Sequence, residues 1–237
     1  MRDLRRQQLL LNYALKGLSQ KKCVEKKGNA MQSSLKIALT GVFAALHTVL
    51  YFSSFGLWRN WAIYIEPVEG ILLGPWAGFS AALIGSGVGR MIRPDPLWMF
   101  GIVAEPLSVL MVAFLARRRW IPVLATYGAM LVASFVSFGT SIPLWTILDV
   151  LLALVLVYPI ARFHRLGIHD NKRLLPLSVV LISFVGTVTD SLTRIFMFIP
   201  AGMYALLGLD FQGALNIFIG SAVASYVEDV IVVLVSF

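Results

Sequence analysis

"IEPVEGILLGPWAGFSAALIGSGVGRM", residues 65–91, sets two glutamates, a Gly-Pro break and a ladder of small residues inside apolar sequence. How this stretch is read decides how the chain crosses a bilayer. Read as one helix over 62–89, it would put Arg117, Arg118 and Arg119 on the side opposite the basic start of the chain. Split at Gly74-Pro75 into two short arms, 62–73 and 75–89, it returns those arginines to the same side. The segment "ARFHRLGIHDNKR", residues 161–173, then falls there too. Loops rich in Lys and Arg stay cytoplasmic, so the split is the expected arrangement. It predicts an all-α polytopic membrane bundle of about eight segments with both termini inside the cell.

The composition fits that class. Of 237 residues 58% are hydrophobic, and the mean hydropathy is +0.81. That is far above the apolar share of a soluble domain. A spanning helix needs about 20 apolar residues. Besides the split segment, the candidates are 33–55, 97–116, 120–138, 143–161, 174–199 and 212–237. Residues 1–32 form a basic leader, and 33–237 form the transmembrane domain. Residues 1–36 carry nine Lys/Arg against Asp3 and Glu25, so they hold +7 of the formal net charge of +8. A leader of this kind beside a span marks the cytoplasmic side rather than a nucleic-acid partner. Its stretch "LRRQQLLLNYALKGL" can form a basic amphipathic helix on anionic lipid. No cleaved secretory signal is expected from the pattern. The single cysteine, Cys23, excludes an intramolecular disulfide.

The two arms reach only about 20 Å each at 1.5 Å per residue. They are therefore expected to pack on protein and to end at a water-filled cavity. Pro75 suits a first helical turn, where its missing N–H costs nothing. Gly78, Ala81, Ala82, Gly85 and Gly89 repeat on one face of the second arm and admit a close neighbour. The first span has the same device in Ala38, Gly41 and Ala45. Such a stripe serves packing inside the subunit or docking of another membrane protein.

A charge at the bilayer centre costs about 2.5–3.5 kcal/mol on insertion scales, so charged residues there pair, face water or serve function. On the split topology Arg59, Glu66, Glu69, Arg90, Arg93, Asp95, Glu105, Asp190, Arg194 and Asp210 gather near the outer face. Glu66 and Glu69 share a helix face, and Asp190 and Arg194 have ion-pair spacing. With Trp58, Trp61, Tyr64 and Trp98 beside them, they read as a polar cup opening outward. Arg59, Arg93, Asp95 and Asp210 suit solvated loops. Glu105 lies nine residues into an apolar span and reads as ligand-facing. Glu105→Gln is then expected to weaken binding while sparing the fold. Glu228 and Asp229 receive no role.

Other chemistries find little support. His47, His164 and His169 are scattered and no Cys/His ligand spacing occurs, so neither a metal nor another cofactor is expected. No nucleophile-plus-base cluster points to an enzyme. Nothing matches a GxxxxGK[ST] loop, so the chain itself does not hydrolyse ATP. No internal repeat argues for an inverted-repeat carrier.

The pattern resembles the S-component of energy-coupling factor (ECF) transporters, the substrate-binding membrane subunit for vitamin uptake. Carrying the likeness are the basic leader running into a helix with the Gly41/Ala45 stripe and the outer loop with Trp58 and Trp61. The "GP" break with "WAGFSAALIGSGVG" follows, and then the mid-helix carboxylate of "FGIVAEPLSVLMVAFLARRR". The likeness covers roughly 33–116 and 174–237. Residues 120–161 would be an inserted helical pair beside a six-helix core. The resemblance implies capture of a small water-soluble vitamin or precursor in an outward-facing cavity. Docking on a transmembrane scaffold subunit driven by two cytoplasmic ATPases would follow, through Ala38, Gly41 and Ala45. Within the family the thiamin type aligns nearest, placing Trp61, Glu105 and Asn216 at the ligand. Its aromatic after the glutamate is Pro106 here. Metal-transporting members carry histidine after the initiator Met, where this chain has Arg2.

The expected ligand set is thus Trp61, Glu66, Glu69, Arg90, Glu105, Asp190, Arg194 and Asn216, in a multi-pass protein of the cell membrane. The alternatives are a stand-alone ion-coupled secondary transporter and a non-catalytic membrane assembly partner.

Overall fold

The computed structural model describes residues 33–53, 60–94, 98–138, 143–167 and 175–235. The leader 1–32, the loop residues Trp58 and Arg59, Asp95, and the basic segment 168–174 lie outside the described residues. The chain divides into two compact units, Met1–Leu39 and Thr40–Phe237. In the first, the described residues 33–39 are helical and exposed. The second holds the remaining fold.

Eight α-helices occur among the described residues: α1 (Ser33–Tyr51), α2 (Glu66–Leu73), α3 (Pro75–Ile92), α4 (Trp98–Ala116), α5 (Trp120–Phe138), α6 (Leu148–Gly167), α7 (Leu175–Phe198) and α8 (Phe211–Val235). Short 3₁₀ turns precede α2, α6 and α8, at Trp61–Tyr64, Leu144–Ile147 and Met203–Leu207. Six stretches are long and apolar enough to cross a bilayer: Ser33–Tyr51, Met99–Ala116, Trp120–Ser137, Leu144–Arg162, Pro176–Phe198 and Phe211–Val235. The chain is an all-α, multi-pass membrane bundle.

Helices α4 and α7 form its centre. Helix α4 touches α2, α3, α5, α6 and α7, and α7 touches α2, α5, α6 and α8 as well. Their facing side chains, among them Val112, Leu115, Val185 and Leu192, are buried in one apolar core with Tyr127 of α5 and Val157 of α6. The Tyr127 hydroxyl donates to the carbonyl of Val185 at 2.8 Å, so the one polar atom of that ring is satisfied.

The expected break at Gly74-Pro75 is present. Gly74 has φ 82° and ψ −176°, a region open in practice to glycine alone. Pro75 opens α3 at a position where no N–H is needed. Across the break the chain folds back: a Cβ placed on Gly78 would lie 3.0 Å from the Glu69 carbonyl oxygen. The Arg117 guanidinium occupies the space where a side chain on residue 74 would stand. This cation sits by the C-terminus of α2, whose partial negative charge favours it.

The arms differ from the expected 62–73 and 75–89. The first is a 3₁₀ turn followed by an eight-residue helix, because Pro67 stands near the start of α2. A single α-helix through 62–73 would drive its ring into the carbonyl of residue 63. The second arm runs to Ile92, 18 residues. It stops where Pro94 forces the preceding Arg93 out of helical geometry, to φ −130° and ψ 90°.

Gly74→Ala is expected to lower stability by about 1–3 kcal/mol through backbone strain alone. Gly87→Ala, in the open space beside α3, should be neutral or raise stability by about 0.5–1 kcal/mol. Thermal unfolding of both variants in detergent checks the pair, and equal melting temperatures would refute the strain at residue 74.

Candidate functional site

One face of α1 is built to enter the bundle. Ala44, His47 and Tyr51 fall at helical spacing and are all buried. The small residues of α3 receive them: a Cβ on Gly85 would sit 2.6 Å from His47 Cβ, and one on Gly89 would strike the Tyr51 ring. Thr48 donates to the Gly85 carbonyl at 3.1 Å, closing the contact. The α3 stripe therefore serves packing within this chain. An adjoining face of α1 carries Gly41 and Ala45, both exposed, with nothing within 4 Å of a Cβ on Gly41 among the described residues. Ala38, in the first unit, is also exposed.

Where α1 meets α2, α3, α4 and α7, a set of charged side chains is buried together. His47, Glu66, Glu69, Arg90, Glu105 and Asp190 are each 0–5% exposed. Glu105 is the hub. Its carboxylate accepts from Arg90 through both terminal nitrogens, Nη1 at 3.0 Å and Nη2 to the other oxygen. It also accepts from Arg194 Nη2 at 3.3 Å and from Asn60 Nδ2 at 3.2 Å. His47 Nε2 lies 3.2 Å from Glu105 Oε2, while His47 Nδ1 lies 3.2 Å from Glu69 Oε1.

Local sequence explains the convergence. Gly101 and Glu105 are one turn apart on α4, and the missing side chain at Gly101 leaves the room that the Arg90 guanidinium fills. Ser86 and Arg90 are one turn apart on α3, and Arg90 Nη1 donates to the Ser86 hydroxyl and, at 3.2 Å, to its carbonyl. The Arg90 guanidinium also lies 4.9 Å from the centre of the Tyr51 ring, a cation–π contact. On α7, Arg194 Nε donates to Asp190 Oδ2 at 2.8 Å, the pairing expected from their spacing.

The histidine carries a specific chemical consequence. Both of its ring nitrogens face carboxylates, and a neutral imidazole has only one N–H. One proton is therefore shared among His47, Glu69 and Glu105, on the ring or on a carboxyl. Glu66 adds a further buried carboxyl beside this set. Among the described residues neither of its oxygens has a hydrogen-bond partner. The Ser108 hydroxyl donates instead to the Gly186 carbonyl at 2.9 Å.

The expected cup is thus closed over its charges in this conformation. Glu66, Glu69, Arg90, Glu105, Asp190 and Arg194 are brought together, but only Arg194 keeps appreciable exposure, 27% of its side chain. Trp61 is half-buried and meets Tyr64 edge-on at 6.2 Å. Asn216 is not gathered in: it is exposed on α8, 3.4 Å from Gln212 Nε2. Asp210 caps α8 by accepting from the Gly213 amide at 2.8 Å. Arg93 is exposed, and Glu228 and Asp229 are buried in α8. Reading the histidines as scattered missed His47. The signal that finds it is the buried register Ala44, His47, Tyr51 facing Gly85 and Gly89.

Beside the cluster lies a cavity of about 420 Å³. It is walled by Phe100 of α4, Phe198 of α7, and Ile217 and Phe218 of α8, with Leu207 and Leu209 of the α7–α8 connection. Phe198 lies edge-on to Phe100 at 5.9 Å, so two aromatic rings line one side, and Tyr204 backs Phe198 at 6.5 Å. Arg194 reaches both this cavity and Glu105. Among the described residues no group of three or more His, Cys, Asp or Glu is placed to hold a metal ion. No family model matches the chain, and comparison with curated proteins and with solved structures finds no match.

The hub geometry revises the expected effect of Glu105→Gln. Neutralising this carboxylate strands the buried Arg90 guanidinium and removes one contact of Arg194, so a loss of about 3–5 kcal/mol in stability is expected. Asn60→Ala removes one hydrogen bond and should cost about 1 kcal/mol. Denaturation of the purified protein in detergent measures both, and a Glu105→Gln loss no larger than that of Asn60→Ala would deny Glu105 its central place.

Proposed function

We propose that this chain is a substrate-capture subunit of an ECF-type importer, an S-component that binds a small water-soluble vitamin or precursor and performs no chemistry of its own. The observation that carries this reading is the cavity bounded by α4, α7 and α8. Its volume lies within the usual 300–1,000 Å³ of small-molecule sites. It combines apolar walls with one cation, and that cation is anchored in a rigid buried network. Arg90, Glu105 and Asp190 then position Arg194 rather than meet the ligand themselves.

The fold-back at Gly74 supports the topology this reading needs. With the leader cytoplasmic, Arg117–Arg119 and the basic segment after α6 fall on the leader's side, and the cavity opens towards the outer face. Helices α1–α4, α7 and α8 would form the six-helix core, and α5 and α6 the inserted pair. Transport would require docking on a transmembrane scaffold subunit driven by two ATPase subunits. Gly41 and Ala45, exposed with open space above Gly41, suit such a contact.

Gly41→Leu tests the docking step directly. A Cβ at this position meets no atom of the described residues, so folding and ligand binding should be retained while ATP-dependent uptake falls at least tenfold. Uptake into cells carrying the complete transporter, with ligand binding measured in parallel, provides the check. Uptake that survives the leucine would remove the docking role of this face.

A second reading draws on the proton shared among His47, Glu69 and Glu105. A buried exchangeable proton suits a stand-alone carrier coupled to an ion gradient. Reconstitution into vesicles separates the two. Uptake driven by a proton or sodium gradient without any ATPase supports the carrier, whereas uptake only with ATP and the scaffold module supports the capture subunit. A membrane assembly partner would bind no small molecule at all.

A further inference from the structure

The lining of the cavity bears on ligand class, an inference that rests on the capture reading above. Among the described residues no acidic side chain lines it. Glu105 and Asp190 stand behind Arg194, 1% and 0% exposed, with their charge directed into the network. What the cavity meets is the donor edge of Arg194. Its Nε is held by Asp190 and its Nη2 by Glu105, while Nη1 donates to nothing among the described residues. The second polar lining group, Ser221, spends its proton on the Phe218 carbonyl at 3.0 Å and can only accept. The remaining walls are apolar, three of them phenyl rings: Phe100, Phe198 and Phe218.

We infer that this cavity takes a small molecule with a flat apolar or aromatic body and a single hydrogen-bond-accepting head, a carboxylate or a carbonyl, seated on Arg194. A guanidinium fixed by two carboxylates has already lost its rotational freedom, so a head that matches its free N–H groups binds without a further ordering cost. A carboxylate gains charge-assisted bonds, and a carbonyl gains ordinary ones. A cationic head meets the like charge of Arg194 and finds only the Ser221 oxygen to accept from it, because the acids that would welcome it are turned away. This departs from the thiamin type, which the resemblance places nearest and whose ligand is a cation.

Four probes with one body test the assignment: indole-3-acetate, indole-3-acetamide, tryptamine and 3-methylindole, each added to the purified full-length protein in detergent. The acetate and the acetamide should raise the melting temperature by about 5 °C at saturation. Tryptamine and 3-methylindole should move it far less. Arg194→Gln should weaken binding of the acetate at least tenfold. Because that variant also strands Asp190, Ile217→Trp provides a second check: it fills the cavity from a half-exposed position, leaves Arg194 intact, and should abolish the shift without lowering the melting temperature of the free protein.

The assignment is overturned if tryptamine stabilises as well as the acetate does, or if 3-methylindole does, since Arg194 would then play no part. A shift that persists in Ile217→Trp also overturns it, as does a flat response to all four probes. The capture reading fails by a different result, uptake that runs without any ATPase. A flat probe set with ATP-dependent uptake intact would therefore sink the ligand class alone.

Discussion

A carboxylate buried in an apolar bundle has to be compensated from every side, and Glu105 sets that demand on the rest of the structure. It stands midway along α4, where no water shell reaches it, and an uncompensated charge there would cost more than the whole stability of a typical domain. Three donors converge on it, Asn60 before α2, Arg90 on α3 and Arg194 on α7, and His47 on α1 faces it across a shared proton. Each of those elements must then approach α4 closely. The glycines at 85, 89 and 101 are the means, since a side chain at 85 would collide with His47, one at 89 with the Tyr51 ring that Arg90 faces, and one at 101 with the Arg90 guanidinium. The small-residue ladder and the buried ions are thus two parts of one arrangement.

The broken segment follows from the same requirement. A continuous helix through 62–89 would carry Glu66 and Glu69 away from Arg90 along a single axis. Folding back at Gly74 returns α3 along α2, so that Glu69 of α2 and Glu105, which Arg90 of α3 holds, both reach His47. Arg117 closes the turn from below and leaves no room for a side chain at residue 74. The result is a rigid polar core inside a membrane bundle, with charges that hold one another rather than solvent.

Rigidity of this kind bears on recognition. A buried network binds nothing by itself, yet it can present one of its members in a fixed pose. Arg194 is that member: its two inner contacts fix the guanidinium, and its free edge looks into an apolar cavity roofed by the α7–α8 connection. Such a division, with a dry supporting shell and one exposed contact group, lets a small site discriminate by head-group chemistry while the apolar walls supply the binding area.

Sequence alone determined the class of this protein, the approximate number of helical segments found among the described residues and the break at Gly74-Pro75. Those features are local: apolar runs of spanning length, the Lys/Arg bias of the loops, and the conformational limits of glycine and proline act wherever they occur. The i,i+4 pairing of Asp190 with Arg194 was legible for the same reason. Tertiary structure decided what the charges do. Whether a glutamate faces water or another helix depends on which face of its helix is covered, and residues far apart in the chain settle that. Glu66, Glu69, Arg90 and Glu105 suggested an open cup because each, taken singly, needs polar surroundings. Their surroundings turned out to be one another and His47, whose meaning comes only from the two carboxylates 22 and 58 residues away that it meets across helix interfaces.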